Sequence, residues 1–146
     1  MKLTTRFRYG TRAMLDLAIH SGHKPTSLKE IAERQDLPLK YLENLFSTLQ
    51  ASGLVRSVRG PHGGYQLIQK PHEITLRKLY DVLEGSGPLA DCTTDPSICN
   101  RYEYCVTQQV WDRLYQECMG YLDSLNLKTL MERVDGMQVS SSQYCI

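Results

Sequence analysis

Five of the 146 residues are cysteine, and Cys92, Cys99 and Cys105 fall within one stretch of fourteen. They stand among polar residues, Asp91, Asp95, Pro96 and Asn100, and not among the apolar neighbours of a buried structural cysteine. No export signal is evident, so persistent disulfides are not expected, and clustered thiols point to metal binding or redox sensing. The gaps of six and five residues are too wide for the C-x2-C pairs of structural zinc fingers. They also lack the C-x2-C runs of bacterial ferredoxins. A flexible loop can still wrap three thiolates round an iron–sulfur cluster. Two alternatives stay open at this point: a zinc-stabilised DNA-binding module, and a thiol redox protein using Cys92 or Cys99 as nucleophile. The latter finds no C-x-x-C motif and no βαβ setting. Cys118 lies in the middle of an apolar stripe and reads as a core or dimer-interface residue.

A second group of residues has the chemistry to read DNA. Residues 38–52 form a helix pattern in which Leu39, Leu42, Leu45, Phe46 and Leu49 share an arc of about 120°. The opposite side carries Lys40, Asn44, Ser47 and Ala51, with Glu43 and Thr48 at its edges. Lys40 can reach a phosphate or a guanine edge, Asn44 can pair with adenine, and Glu43 can accept from the amino group of cytosine. A carboxylate beside phosphates is costly, so Glu43 points to selectivity over raw affinity. Downstream, Arg56 and Arg59 flank a turn rich in Gly and Pro, which lets backbone approach a duplex and an arginine enter a narrow minor groove.

The elements that must position these groups can be read around them. A helix is expected over about 4–21, and Ser27-Leu-Lys-Glu30 forms a capping box for a short helix to about Gln35. Asp36-Leu-Pro38 breaks the chain before the helix at 38–52, and Gly53 suits its C-terminal cap. Two β-prone runs, Leu54–Val58 and Tyr65–Gln69, enclose the Gly/Pro turn as a hairpin. Helix, tight turn, helix and hairpin is the order of a winged helix-turn-helix. A further helix is expected at 75–84 and a loop from Gly85 to about Asn100. A long helix over 102–125 follows, in which Thr107, Trp111, Leu114, Cys118, Tyr121 and Leu125 recur at spacings of 4, 3, 4, 3 and 4. That alternation suits a helix pairing along its length, and a broad stripe also suits packing on its own domain. Leu127–Val134 adds a turn or two, and Gly136–Ile146 reads as a mobile tail.

The fold class is therefore mainly α with a small β-hairpin: a winged helix-turn-helix over 1–84, a cysteine loop over 85–101, a dimerisation helix region over 102–134 and a flexible tail over 135–146. Residues 1–81 hold 13 Lys and Arg against 7 Asp and Glu, a net of +6, and residues 82–146 hold 4 against 9, a net of −5. Only the first half is expected to face a polyanion. No apolar run approaches the ~18 residues of a membrane span, so no membrane partner and a cytoplasmic location are expected.

Tyr41-Leu-Glu-Asn-Leu-Phe46, Ser52-Gly-Leu-Val55, Val58-Arg-Gly-Pro-His-Gly-Gly-Tyr65 and the three-cysteine loop, with the opening Met-Lys-Leu-Thr-Thr and Arg8-Tyr9, together resemble the iron–sulfur cluster regulator (IscR) family. These are dimeric bacterial winged-helix transcription regulators, including the nitric-oxide-sensing type. The resemblance covers roughly residues 1–125 and implies a homodimer bound to a double-stranded DNA operator, with no catalytic residues. It places Glu43 at a major-groove selectivity position and Arg59 at a minor-groove one. Lys40 and Asn44 stand where the best-known member has Ser and Gln, which implies a different preferred operator. Lys40, Tyr41, Glu43, Asn44, Ser47, Arg56 and Arg59 are the candidate DNA contacts. Cys92, Cys99 and Cys105 are the candidate ligands of an iron–sulfur cluster of the [2Fe-2S] type. Two departures stand out: the first cysteine gap is one residue longer than usual, and Gln108 occupies the place of the family's ligating histidine. The other family solution, an acidic residue near the N-terminus, is replaced by Arg8. Asp91, Asp95, Glu103, Cys145, Gln108 and solvent remain as fourth-ligand candidates.

Overall fold

The computed structural model describes residues 3–22 and 24–142. Helix α1 spans Thr5–His20 and begins at Thr4, whose hydroxyl accepts from the Phe7 N–H. Its apolar line of Phe7, Ala13, Met14 and Leu17 is buried. Helix α2, Leu28–Gln35, has the capping box expected from Ser27 and Glu30: each side chain binds the other's backbone N–H, satisfying two donors that a helix start leaves free. Asp36 takes the left-handed conformation (φ 50°) and ends α2; α3, Leu39–Ala51, begins after Pro38. Leu42, Leu45, Phe46 and Leu49 are buried as the periodicity predicts. Leu39 is not: at the first turn of α3 it stays 41% exposed.

Strands β1, Val55–Val58, and β2, Gly64–Leu67, pair antiparallel with Val58 opposite Gly64. Thr26 adds a third, single-residue rung by pairing with Tyr65, through N–H to carbonyl bonds of 3.0 and 2.8 Å. Gly64 makes that approach possible: a Cβ there would lie 2.4 Å from the backbone of Thr26. Tyr65 then packs edge-on to Phe46 with ring centroids 4.9 Å apart, tying the hairpin to α3.

Helix α4, Leu76–Glu84, buries Leu76, Leu79 and Leu83. The loop beyond it is broken into short 3-10 turns at Asp91–Thr93, Pro96–Ile98 and Tyr102–Tyr104. The long helix starts later than expected, as α5 over Val106–Ser124, because Cys105 is extended (φ −88°, ψ 98°) and separates it from the 3-10 turn. A second difference lies at the C-terminus. Helix α6 spans Leu127–Ser142 in place of a turn or two followed by an irregular tail. A lone glycine costs a helix only about 1 kcal/mol, and Gly136 does not stop it. Residues 143–146, with Cys145, lie outside the described part.

The joint between α5 and α6 is stapled to the start of α4. The Leu76 N–H donates to the Leu125 carbonyl at 2.9 Å and the Leu127 N–H to the Ile74 carbonyl at 3.0 Å. Leu125 and Leu127 are themselves part of the common core. The 3-10 turn Asp91–Thr93 packs on α5, and α6 packs back on α1.

Candidate DNA-binding surface and cysteine loop

Burial of one side of α3 leaves Lys40, Glu43, Asn44 and Ser47 exposed together on the other. Lys40 Nζ lies 3.2 Å from Glu43 Oε2, and both side chains are well solvated. Such a surface pair is worth under about 1 kcal/mol, so both groups are free to exchange one another for a ligand. Tyr41 is half-buried and meets the Tyr9 ring edge-on at 5.9 Å, so its role combines packing with its place at the surface.

At the hairpin, Arg59 is exposed at the turn, beside Gly60 with φ 124°. Arg56, also exposed, lies within β1 itself. Successive strand residues face opposite ways, and the neighbour Ser57 accepts a 3.4 Å bond from Gln50 of α3. Arg56 therefore faces away from α3. It donates to Gln66 at 3.2 Å and lines a cavity of about 490 Å³ with Ser21, Gly22 and Gln69. The structure brings Lys40, Tyr41, Glu43, Asn44 and Ser47 together on α3 with Arg59 on the adjoining turn, and sets Arg56 apart from them.

Supports for this surface come from α1, and the motifs of α3 gave no sign of them. Arg6 donates to Thr48 Oγ1 at 2.9 Å. Asp16, 2% exposed, accepts from Arg34 Nη2 at 2.7 Å and Gln35 Nε2 at 3.0 Å, locking α2 to α1. The bond it donates to Asp16 keeps the Arg34 guanidinium firmly charged, above its ordinary range. A heptad-like count along α1 would have flagged Asp16 as a charge on a buried face, and such charges are almost always paired.

Cys92, Cys99 and Cys105 of the cysteine loop are half-buried free thiols, and so is Cys118 on α5. Cys105 immediately precedes α5. Its sulfur lies 3.2 Å from the Thr107 hydroxyl. That contact, the Gln108 and Thr107 N–H groups and nearby Arg101 hold its thiol below the usual cysteine range, as suits a ligand that binds as thiolate. Asp95 is occupied otherwise: its carboxylate accepts from the Ser97 N–H and hydroxyl at 2.9 and 2.6 Å. Among the described residues, no three His, Cys, Asp or Glu side chains are gathered closely enough to hold a metal ion. The donor chemistry thus fits a thiolate-held group, while this loop conformation does not bring the three sulfurs together.

Helix α5 carries apolar groups on two adjoining sides. Met119 is buried and Leu122 is packed against the core. Trp111, Leu114 and Tyr121 stay 44, 47 and 61% exposed, with Val106 and Val110 also open to solvent. No helix among the described residues is long and apolar enough to cross a membrane.

Comparison with known proteins follows the same pattern. Residues 3–133 match the Rrf2 family, described as iron-dependent transcriptional regulators. The chain is 41% identical over 143 residues to the HTH-type transcriptional regulator IscR of Aliivibrio salmonicida, covering 98% of this chain and 84% of the relative. It is 39% identical over 131 residues to protein rrf2 of Nitratidesulfovibrio vulgaris, covering 90% and 87%. Among solved structures, T. potens IscR superposes with a TM-score of 0.79 at 38% identity, covering 94% of this chain and 91% of that one. CymR, the global cysteine regulator of B. subtilis, does so with 0.74 at 36%, covering 91% and 98%. The family and the Aliivibrio salmonicida relative are described as transcriptional regulators, which sets aside the reading as a thiol redox enzyme. With the winged helix-turn-helix and its exposed polar helix face already in place, the chain belongs to the Rrf2 family of DNA-binding transcriptional regulators.

Proposed function

We propose that this regulator acts as a homodimer that reads a palindromic operator and reports iron–sulfur or redox status through a cluster held by Cys92, Cys99 and Cys105. The observation that carries the DNA part is the division of α3, with four leucine and phenylalanine side chains buried and Lys40, Glu43, Asn44 and Ser47 displayed. Glu43 and Asn44 discriminate bases in the major groove, while Arg59 inserts into the flanking minor groove. The exposed apolar side of α5 supports dimerisation, because two copies must be held at a fixed spacing to read two half-sites.

The cluster reading rests on three free thiols in one polar loop, the lowered Cys105 thiol and the IscR-type relatives. When bound, an iron–sulfur cluster supplies reversible one-electron chemistry and reactivity toward oxygen and nitric oxide. Holding it requires the three sulfurs to converge. Because the loop packs on α5 through Asp91–Thr93, convergence bears on α5. The staple at Ile74–Leu76 links α5 to the DNA-binding domain. Bound and free forms then differ in the setting of the two recognition helices.

Anaerobic purification with iron, sulfide and zinc quantified together tests this reading. Stoichiometric iron and sulfide with a coloured product is expected. Zinc without sulfide would replace the cluster by a structural zinc ion, and absence of all three would leave the loop a thiol element without metal.

A further inference from the structure

One line of side chains along α1 touches the helix-turn-helix at four places. Arg6 reaches Thr48 at 2.9 Å, Tyr9 packs on Tyr41, Arg12 donates to the Gln35 side chain and carbonyl, and Asp16 receives Arg34 and Gln35. Residues 6, 9, 12 and 16 share one face because three- and four-residue steps return to the same side of a helix. Three of the four contacts hold α2 or the first turn of α3. Arg6 is the one that reaches the later half of α3.

The position of Thr48 gives that contact its meaning. It is half-buried, between buried Leu45 and Leu49 and exposed Asn44 and Ser47. Its hydroxyl accepts from Arg6 and donates to the Asn44 carbonyl at 3.3 Å. Apolar packing is non-directional and sets how deeply α3 lies in the core. A charge-assisted hydrogen bond at the border between the two faces is directional and resists rotation of α3 about its own axis.

We propose that Arg6 is a specificity-determining positioning residue: acting through Thr48, it fixes the roll of α3 and so the angle at which Glu43 and Asn44 meet base edges. This rests on α3 being the base-reading helix. A phosphate contact by Arg6 would leave a different signature, since it would strengthen binding to every sequence and steepen the salt dependence.

The test uses the full-length protein and an operator selected by it from a random-sequence duplex pool. Dissociation constants are measured for that operator and for random duplex over a salt series. Arg6→Met and Thr48→Val should each lower the operator-to-random ratio about tenfold. The double variant should be no worse than either single one, because both remove the same bond, and the salt slope should stay at the wild-type value. Thr48→Ser, which keeps the hydroxyl, should retain the wild-type ratio and serves as the decisive pair with Thr48→Val if Arg6→Met folds poorly. The proposal is overturned if the ratio is unchanged, if the two losses add, or if Arg6→Met flattens the salt slope by about 0.9 while Thr48→Val has no effect. Glu43→Ala and Asn44→Ala run alongside. If they leave the ratio intact, α3 is not the reader and both ideas fall. If they lower it while Arg6 and Thr48 variants do not, the positioning role alone fails.

Discussion

Arg56 and Arg59 sit three residues apart and meet different surroundings. Arg59 is open at the hairpin turn, while Arg56 is engaged with Gln66 on the face turned away from α3. In a gel-shift titration at fixed salt, Arg59→Ala should therefore weaken operator binding by about 1–3 kcal/mol. Arg56→Ala should change it by less than about 0.5 kcal/mol, and equal losses would mean that the hairpin meets DNA on both faces. The composition around these residues announced a wing, but only the strand register decides which arginine faces which way. The cysteines divide in a similar fashion. Cys92, Cys99 and Cys105 share a polar loop, and Cys118 lies on α5 beside the buried Met119. Each loop Cys→Ala should abolish or strongly reduce bound iron and sulfide, whereas Cys118→Ala should leave both in place. Full iron and sulfide in all three loop variants would remove the cluster from this loop. Gln108→His is a finer test of the fourth position. An imidazole binds iron far better than a carboxamide, so cluster loss to oxygen or chelator should slow. An unchanged lifetime would show that residue 108 faces elsewhere once the sulfurs converge.

Secondary elements were legible in the sequence wherever a local rule sufficed. The Ser27–Glu30 capping box and the Leu42–Leu49 stripe each involve residues within one helix, and both formed as read. What escaped was tertiary. The Arg6–Thr48 bond spans 42 positions, and the strand-like pairing of Thr75 with Asn126 spans α4, the cysteine loop and α5; no periodicity announces either. The start of α6 at Leu127 was read, and Asn126 accepts from the Thr129 N–H at 3.0 Å as an N-cap should, but its length was hidden because the residues from Gly136 onward lack amphipathic order. The cysteine loop is the part least fixed by such rules: its short 3-10 turns are held by local side-chain bonds, such as Asp95 to Ser97. That is consistent with a segment whose final shape is set by what its thiols bind. The hairpin offers a stringent check on element-level reasoning. Gly64 has φ 156° and no room for a Cβ against the Thr26 backbone. Gly64→Ala should thus pull the third rung apart and cost about 2 kcal/mol, read as a lowered denaturation midpoint together with weaker operator binding. A variant with wild-type stability would show that the Thr26 pairing contributes little to holding the wing.

At the scale of the whole molecule, charge and apolar exposure are segregated in a way that assigns each end a partner. The net +6 of residues 1–81 lies with α3 and the hairpin, and the net −5 of residues 82–146 lies with the cysteine loop, α5 and α6. A polyanion is attracted to the first region and repelled by the second. The acidic region instead offers the exposed line of Val106, Val110, Trp111, Leu114 and Tyr121. Contiguous exposed apolar surface of this kind marks a contact site. The spacing by itself was compatible with an intramolecular core, but the structure gives that task to Met119, Leu122 and Leu125 and leaves the Trp111–Leu114–Tyr121 line uncovered. Leu114 lies near the middle of that line, so in two copies pairing through α5 it would be close to the centre of the contact. Because it is 47% exposed within one chain, an aspartate there is tolerated by the monomer fold and is costly only when a partner would bury it. Leu114→Asp is therefore expected to give a folded monomer with wild-type helix content by circular dichroism and half the mass by light scattering. It should also lose operator binding, since a single recognition helix forfeits the second half-site. A variant that remains dimeric and binds DNA normally would refute α5 as the dimer face. One that unfolds would show that Leu114 belongs to the intramolecular core after all.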